Sequence, residues 1–523
     1  MLTHIIKTLA SFVFSRGVLA LCFTAASLHV VRWYQLRKKM PPGPLGLPFI
    51  GNSHQVPAVK PWRKFQAWNE HYGPVVSLFL GSTPVVVLGT PQAAWDLLDK
   101  RSDIYSSRPR FIMGGEILSD NKRGLMLPYG EEWRKWRKIL HSGFHARKSD
   151  EYQPIQSLES KIMMHQILTE PKGYERHIQR YAASVVTSVT YGKRIDSVDE
   201  WVVRENMRAM DCALHLYSIP GKYIVESMPW LLNLPLCLQW FRKAPEAQRQ
   251  RDVKFLMHLY DEVKTRMDEG TIADCLTSQT ISISEKNGWD ALDVAYAVSS
   301  PFGAGIETTA GTLSVFFLAM LHYPETMKKA QQEIDSVIGP ERMPEFEHKD
   351  SLPYVNALIN ETLRWRPVAA LGGSPHAVTS DDEYHGMYIP KGSTVFANLA
   401  GIMHDPGTFP DPDDFRPERF LETSDPRLKD FTVPFGFGRR ICPGMHLARN
   451  SVFMNITRIL WAFNILPKKD SQNREILPDR WDFSNGFNSR PISFECRIEP
   501  RSDKVVKCIE REAEMARSSF YSQ

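Results

Sequence analysis

The chain of 523 residues has no CxxC pair, and between Pro41 and Pro500 it has no repeat, no low-complexity run and no long linker. Its seven cysteines, Cys22, Cys212, Cys237, Cys275, Cys442, Cys496 and Cys508, are scattered and odd in number. Neither a disulfide framework nor a zinc site is signalled, and a reducing compartment is implied. The net charge of +5 is small for this length. That argues against a nucleic-acid partner, which needs a concentrated basic surface. No dinucleotide loop is present either, because Gly436-x-Gly438 would need a third glycine where Ile441 stands. What remains, 43% hydrophobic and 24% charged residues, is ordinary globular matter with disorder excluded for most of the length.

Residues Thr8 to Val31 are mostly apolar, interrupted by Arg16, and lead through Trp33 and Tyr34 to Arg37, Lys38 and Lys39. The uninterrupted part, Gly17 to Val31, is shorter than the roughly 20 residues that cross a bilayer. Arg16 must then snorkel or the span must extend through Tyr34. A cleaved signal peptide competes with a single-pass anchor. The basic flank on the C-terminal side favours the anchor with the body in the cytosol. Residues 1–40 are accordingly read as a membrane anchor with its basic flank and 41–523 as one catalytic domain. Within it, 41–52 ("PPGPLGLPFIGN") is a stiff, extended hinge and 501–523 a charged, helix-prone tail of no evident use to the core. Most of the body shows helical spacing. Short β-like stretches at Val75 to Leu88, near Tyr388 to Ala397 and near Pro491 to Ile498 add a small sheet. The fold class is mainly α with a small β-sheet region.

The decapeptide "FGFGRRICPG", Phe435 to Gly444, precedes a helical run from Met445. Pro443 suits a first helical turn, so Cys442 falls at a helix N-terminus, where free N–H groups and the dipole, with Arg440 nearby, stabilise a thiolate. On these residues alone an idle surface turn, a nucleophilic thiol with His446 as base, and a thiolate ligand all remain open.

The whole stretch resembles the haem-binding signature of the cytochromes P450, haem-thiolate monooxygenases, with Phe435, Gly438, Arg440, Cys442 and Gly444 at the family's spacing. The resemblance makes Cys442 the axial ligand to the iron of haem b. Further matches follow in the family's order. "ETLR" is similar to the ExxR motif, and "PERF" supplies its partner, so Glu361, Arg364 and Arg419 are expected to form a buried network beneath the haem rather than a surface ion pair. "WRKWR" resembles the pattern in which Trp133 and Arg137, one helix turn apart, hold a haem propionate. Arg440 and His376 are implied as further propionate contacts. Arg134, Lys135 and Lys138 are left to dock an acidic electron donor.

"GAGIETT", Gly303 to Thr309, resembles the family's oxygen-activating motif. The likeness implies that Thr308 bonds dioxygen, that Glu307 feeds protons, and that Ala304 and Gly305 leave room for substrate. A packed helix whose Thr308 bonds its own i−4 carbonyl is the competing reading. Pro301 departs from the pattern and predicts that the helix kinks there or begins late.

Similarity is greatest to the fungal microsomal branch and covers about Pro41 to Pro500. It implies a single-pass endoplasmic-reticulum protein that inserts one oxygen atom of O2 into a lipophilic small molecule, a terpenoid or polyketide intermediate of secondary metabolism, and releases the other as water. Electrons would come from a separate NADPH-dependent flavoprotein reductase, with cytochrome b5 as a further donor. Pocket-lining stretches are expected around Phe111 to Leu118, Ala213 to Ile224, Phe302, Ala370 to Gly373 and Gly486-Phe487. Two rivals are a peroxide isomerase or dehydratase on the same fold and a non-enzymatic haem gas sensor. The Glu307-Thr308 pair counts against both.

Overall fold

In the computed structural model, residues 2–217 and 223–521 are described. The helices that build the site are α1 (Leu2–Lys39), α2 (Glu131–Phe144), α3 (Gln153–Thr169), α4 (Tyr174–Tyr191), α5 (Trp201–Tyr217), α6 (Lys243–Asp268), α7 (Ala291–His322), α8 (Pro353–Trp365), α9 (Met445–Ala462) and α10 (Asp503–Tyr521). Strands are few. Val75–Leu80 (β1) and Thr83–Leu88 (β2) form a hairpin, and Thr394–Ala397 (β4) joins β2 in parallel and pairs on its other side with His376–Ala377 (β3). A second sheet has Phe463–Lys469 (β5) at its centre, flanked by Glu475–Ile476 (β6) and Cys496–Pro500 (β7).

Helix α7 is apolar on every face, and such a helix belongs in a core or a membrane. Among the helices whose side chains are described throughout it is the one long and apolar enough to cross a bilayer, and the 78% burial of that window settles the choice as core. It packs most extensively against α4 and also meets α9, α6, α2 and α8. The helix starts ten residues before Pro301 and runs unbroken past it, so the late start that the proline allowed does not occur. Neighbours brace that turn. The Ser299 hydroxyl donates to the Tyr296 carbonyl at 2.8 Å, Trp136 Nε1 of α2 donates to Ser300 Oγ at 3.0 Å, and Asn206 Nδ2 of α5 donates to the Phe302 carbonyl at 3.2 Å.

Two terminal segments do more than their composition promised. The proline-rich stretch is docked on β1 over 41–46, with Ser77 N donating to the Pro42 carbonyl at 3.0 Å and Arg37 Nη2 reaching the Gly43 carbonyl at 2.6 Å. It is not extended throughout, because Leu47 and Gly51 exchange backbone bonds at 2.9 and 2.8 Å and close a turn. The tail expected to be idle is α10. Val505, Cys508, Ile509, Ala513 and Ala516 recur at helical spacing and are buried, and α10 packs against α3. Lys161 of α3 pairs with Glu512 of α10 at 2.9 Å.

Candidate functional site

The decapeptide closes on itself. After a short 3₁₀ turn (Val433–Phe435) the chain passes Gly436 and Gly438, both at positive φ, and Cys442 N donates to the Phe435 carbonyl at 2.8 Å. Gly438 is irreplaceable on two counts. Its φ is +56°, and a Cβ there would stand 2.1 Å from the Leu98 carbonyl oxygen. Its N–H donates to the Asp99 carboxylate. Phe435 rests against the main core, and Gly444 occupies the N-cap of α9 with open space around it.

Cys442 therefore sits at the start of α9, accessible although its loop neighbours Val433, Phe437 and Leu447 are buried. Ala304 is likewise accessible on α7 between buried Phe302 and Ile306, and α7 packs on α9. Two accessible residues thus lie on helices that pack on one another. Enclosure pushes the Cys442 thiol up, while the Gly444 N–H and the Arg137 guanidinium oppose it. The dipole end acts as expected, but the cation is Arg137 and not Arg440. Burial favours the neutral thiol, and a bound metal would favour the thiolate.

On the rim above this loop three guanidiniums converge. Arg137 Nη1 donates to the Ile441 carbonyl at 2.6 Å. Arg440 donates from Nε to the Ser106 carbonyl at 2.6 Å and from Nη2 to that of Leu127 at 2.7 Å, and its plane lies 4.4 Å from the Trp133 ring. Arg108, which the motifs did not single out, donates to the Ser374 and Pro375 carbonyls at 2.6 and 3.0 Å. None of the three forms an ion pair among the described residues. Burial, then the Arg108 and Arg137 charges, bring Arg440 down to about 8, and burial alone brings Arg108 down to about 9. His376 joins them, held well below its ordinary value by burial, Arg108 and Arg440. Its Nδ1 faces the Tyr105 carbonyl at 2.8 Å. A carbonyl only accepts, so Nδ1 carries the hydrogen and Nε2 becomes a donor only if the ring is recharged. Among the described residues, Trp133 Nε1 and Arg440 Nη1 are buried without a partner.

Buried cations without counter-charge are costly, and unmade donors add to that cost. A flat group carrying two carboxylates beside a soft-metal centre satisfies all of them at once. The donors, the thiol and the glycine-lined approach fit haem.

Beneath the loop, Glu361 and Arg364 of α8 are wholly buried and bidentate, at 2.7 and 2.8 Å, and Arg419 Nε reaches Glu361 at 3.2 Å. Arg364 and Arg419 also hold the carbonyls of Met403, Pro410, Pro412 and Asp414. They fix the 403–414 loop.

On α7 the geometry corrects one expectation. A Cβ at Gly305 would stand 3.1 Å from Val186 Cγ2 of α4, and one at Gly303 would stand 2.6 Å from Met210 Sδ of α5. These glycines let helices approach and do not make room at the site, which falls to Ala304. The Thr308 hydroxyl donates to the Ala304 carbonyl at 2.7 Å, the plain i−4 bond of a helical threonine. Glu307 is half-buried and accepts from Asn488 Nδ2 at 3.3 Å. Lys135 is not free on the basic face, being paired with Asp293 at 3.6 Å and placed over Trp289, whereas Arg134 and Lys138 are exposed. Residues 218–222 of one expected lining stretch lie outside the described residues. Phe111, Leu118, Met126 and Ala213 form one small apolar cluster.

A family model for cytochrome P450 matches residues 41–494. Cytochrome P450 monooxygenase 58 of Postia placenta is 43% identical over 89% of this chain and 90% of its own length. Cytochrome P450 monooxygenase virE of Hypocrea virens is 37% identical over 91% of this chain and 88% of its own, and claR of Ampulloclitocybe clavipes is 35% identical over 93% and 92%. Taken with the thiol, the uncompensated arginines and the mainly helical fold, these likenesses place the chain in the cytochrome P450 family of haem-thiolate monooxygenases.

Proposed function

We propose that the protein hydroxylates or otherwise oxidises a lipophilic small molecule of fungal secondary metabolism, with Cys442 as the iron ligand and Glu307 and Thr308 as the proton-handling pair. The observation that supports it most is an accessible thiol at the start of α9 with the Arg137 guanidinium beside it, in a group of arginines that form no ion pair among the described residues. Bound haem supplies the activation of O2 for insertion into a C–H bond. The protein's residues do the rest. Arg108, Arg137, Arg440 and Trp133 hold the propionates. Ala304 leaves the space above, Thr308 offers a hydroxyl once it leaves the Ala304 carbonyl, and Glu307 passes protons inward. Electrons come from an NADPH-dependent flavoprotein reductase, with cytochrome b5 as an additional donor, and exposed Arg134 and Lys138 are the docking cations. Co-expression with such a reductase, fed terpenoid and polyketide candidates, is expected to give an NADPH-dependent oxygenated product. Product without NADPH would instead fit an isomerase.

The charge account has its own check. Haem dimethyl ester, which lacks both carboxylates, is expected to bind the apoprotein at least about 30-fold more weakly than haem, the equivalent of one hydrogen bond between charged groups. In Arg440→Ala that gap narrows. Equal affinities in the unaltered protein would contradict the assignment of these arginines.

The membrane reading rests on apolar side chains that water does not favour. Leu21, Phe23, Leu28 and Val31 of α1 are exposed, His29 stacks on exposed Phe49 at 5.0 Å, and Trp230, Leu236, Leu238 and Trp240 are exposed after α5. The side chain of Arg16, expected to snorkel, lies outside the described ones. We assign residues 1–40 as a single-pass endoplasmic-reticulum anchor with the body in the cytosol. Full-length protein is then expected to stay in the membrane pellet through alkaline carbonate, and release into the supernatant would argue against a span.

A further inference from the structure

Glu307 has one hydrogen-bond partner among the described residues, and that partner comes from a loop more than 180 positions later in the chain. The loop is tied down by hydrogen bonds at both ends. Ser484 N donates to the Arg490 carbonyl at 2.8 Å, Arg490 N donates back to Ser484 Oγ at 3.1 Å, and Ser489 N is tied to the Val368 carbonyl at 2.7 Å. It can lie close to α7 because of Gly311. A Cβ there would stand 3.2 Å from Val368 Cγ2 and 3.4 Å from Arg490 Cβ. Gly311 is one turn beyond Glu307 on the same face, so the approach it permits delivers the Asn488 amide to the carboxylate. No basic side chain pairs with Glu307 among the described residues.

We propose that Asn488 is the positioning residue for the Glu307 carboxylate, a neutral donor that holds the acid at the pocket wall so that protons arriving there complete O2 reduction. The idea rests on the reading of Glu307 as the proton-handling acid. Without the amide, a glutamate has three rotatable bonds and a half-exposed setting. It would spend its time in water, away from Thr308. A neutral partner suits the task better than an arginine, because the carboxylate must gain and lose a proton at each turnover and a fixed cation would hold it ionised.

The balance of electrons supplies a readout that needs no known substrate. One O2 taking two electrons and two protons leaves as hydrogen peroxide, and one taking four of each leaves as two waters. Full-length holoprotein with a flavoprotein reductase, NADPH and no added substrate is assayed for NADPH, O2 and peroxide. In Asn488→Ala, and in Asn488→Asp, which keeps the shape and removes the donor, the ratio of O2 reduced to water over O2 released as peroxide is expected to fall about fivefold, the factor one net hydrogen bond is worth. Glu307→Ala is expected to fall further, and adding Asn488→Ala to it to change nothing more. A ratio unchanged in both Asn488 variants, or an effect that adds in full on top of Glu307→Ala, would overturn the proposal. So would loss of haem in both Asn488 variants, since that is a role in assembly. If Glu307→Ala itself leaves the ratio alone, the relay reading fails and takes this proposal with it. A wild-type protein lacking the thiolate carbon-monoxide band would mark failure of the ligand assignment instead.

Discussion

Cys442→Ser is expected to fold and to lose oxygenation to background. On the proposed assignment of Cys442 to the iron, the substitution removes the one soft anionic ligand that the loop offers, and a serine hydroxyl at this position does not ionise to replace it. Altering groups that merely support a metal ligand costs about 10- to 100-fold, so replacing the ligand itself should exceed that range. Folding survives for a local reason. The loop is closed by backbone N–H donors, from Cys442 N to the Phe435 carbonyl and from Gly438 N to the Asp99 carboxylate, and serine keeps both bonds. NADPH-dependent product, the reduced carbon-monoxide spectrum and far-ultraviolet circular dichroism, measured side by side, separate the two effects. A serine variant that still turns over would show that some other side chain holds the iron.

The second large effect is in stability. Glu361 and Arg364 have no exposure at all, and Arg419 shares the same carboxylate. Glu361→Ala leaves two guanidiniums facing each other in the dark interior, and removing one partner of a buried pair costs about 3 to 5 kcal/mol. That is a large part of the roughly 5 to 15 kcal/mol that holds a domain folded. Arg364→Ala should cost nearly as much, because it strands Glu361 and frees the Met403, Pro412 and Asp414 carbonyls. Arg419→Ala should cost less, since its contact is longer and Arg364 still serves the carboxylate. Lys328→Ala is the control, because the Lys328–Glu325 pair is exposed on both sides and worth about 0 to 1 kcal/mol. Thermal unfolding of the holoproteins orders the four. If all four melted together, the network would be no more than an ornament on the fold.

Much of this site was legible because its signals are local. Cysteine, glycines and proline within ten residues, a carboxylate and guanidinium at i and i+3, and a tryptophan and arginine at i and i+4 need no knowledge of the rest of the chain. The small sheet was found where β-branched residues run together, at Val75 to Leu88, and near Tyr388 to Ala397, and missed at Phe463–Lys469, where the strand follows α9 without a break. Arg108 was missed because what marks it is tertiary. Its partners are the carbonyls of Ser374 and Pro375, and nothing around "SSRPR" has a period. The purpose of Gly305 was misread for the same reason, as Val186 comes from another helix. The helical tail carried its apolar spacing openly at Val505, Ile509, Ala513 and Ala516, yet composition made it look idle. Asn488 had no signal at all, since only the close approach over Gly311 brings it to Glu307.

The most direct trial of these assignments is the spectrum of the purified, haem-loaded, full-length protein, reduced under carbon monoxide. A Soret band at the long wavelength that gives the family its name is expected, the mark of a thiolate holding the iron. A band only at the shorter wavelength of imidazole-ligated haem, in protein shown to be folded, would mean that Cys442 is not bound to iron as a thiolate.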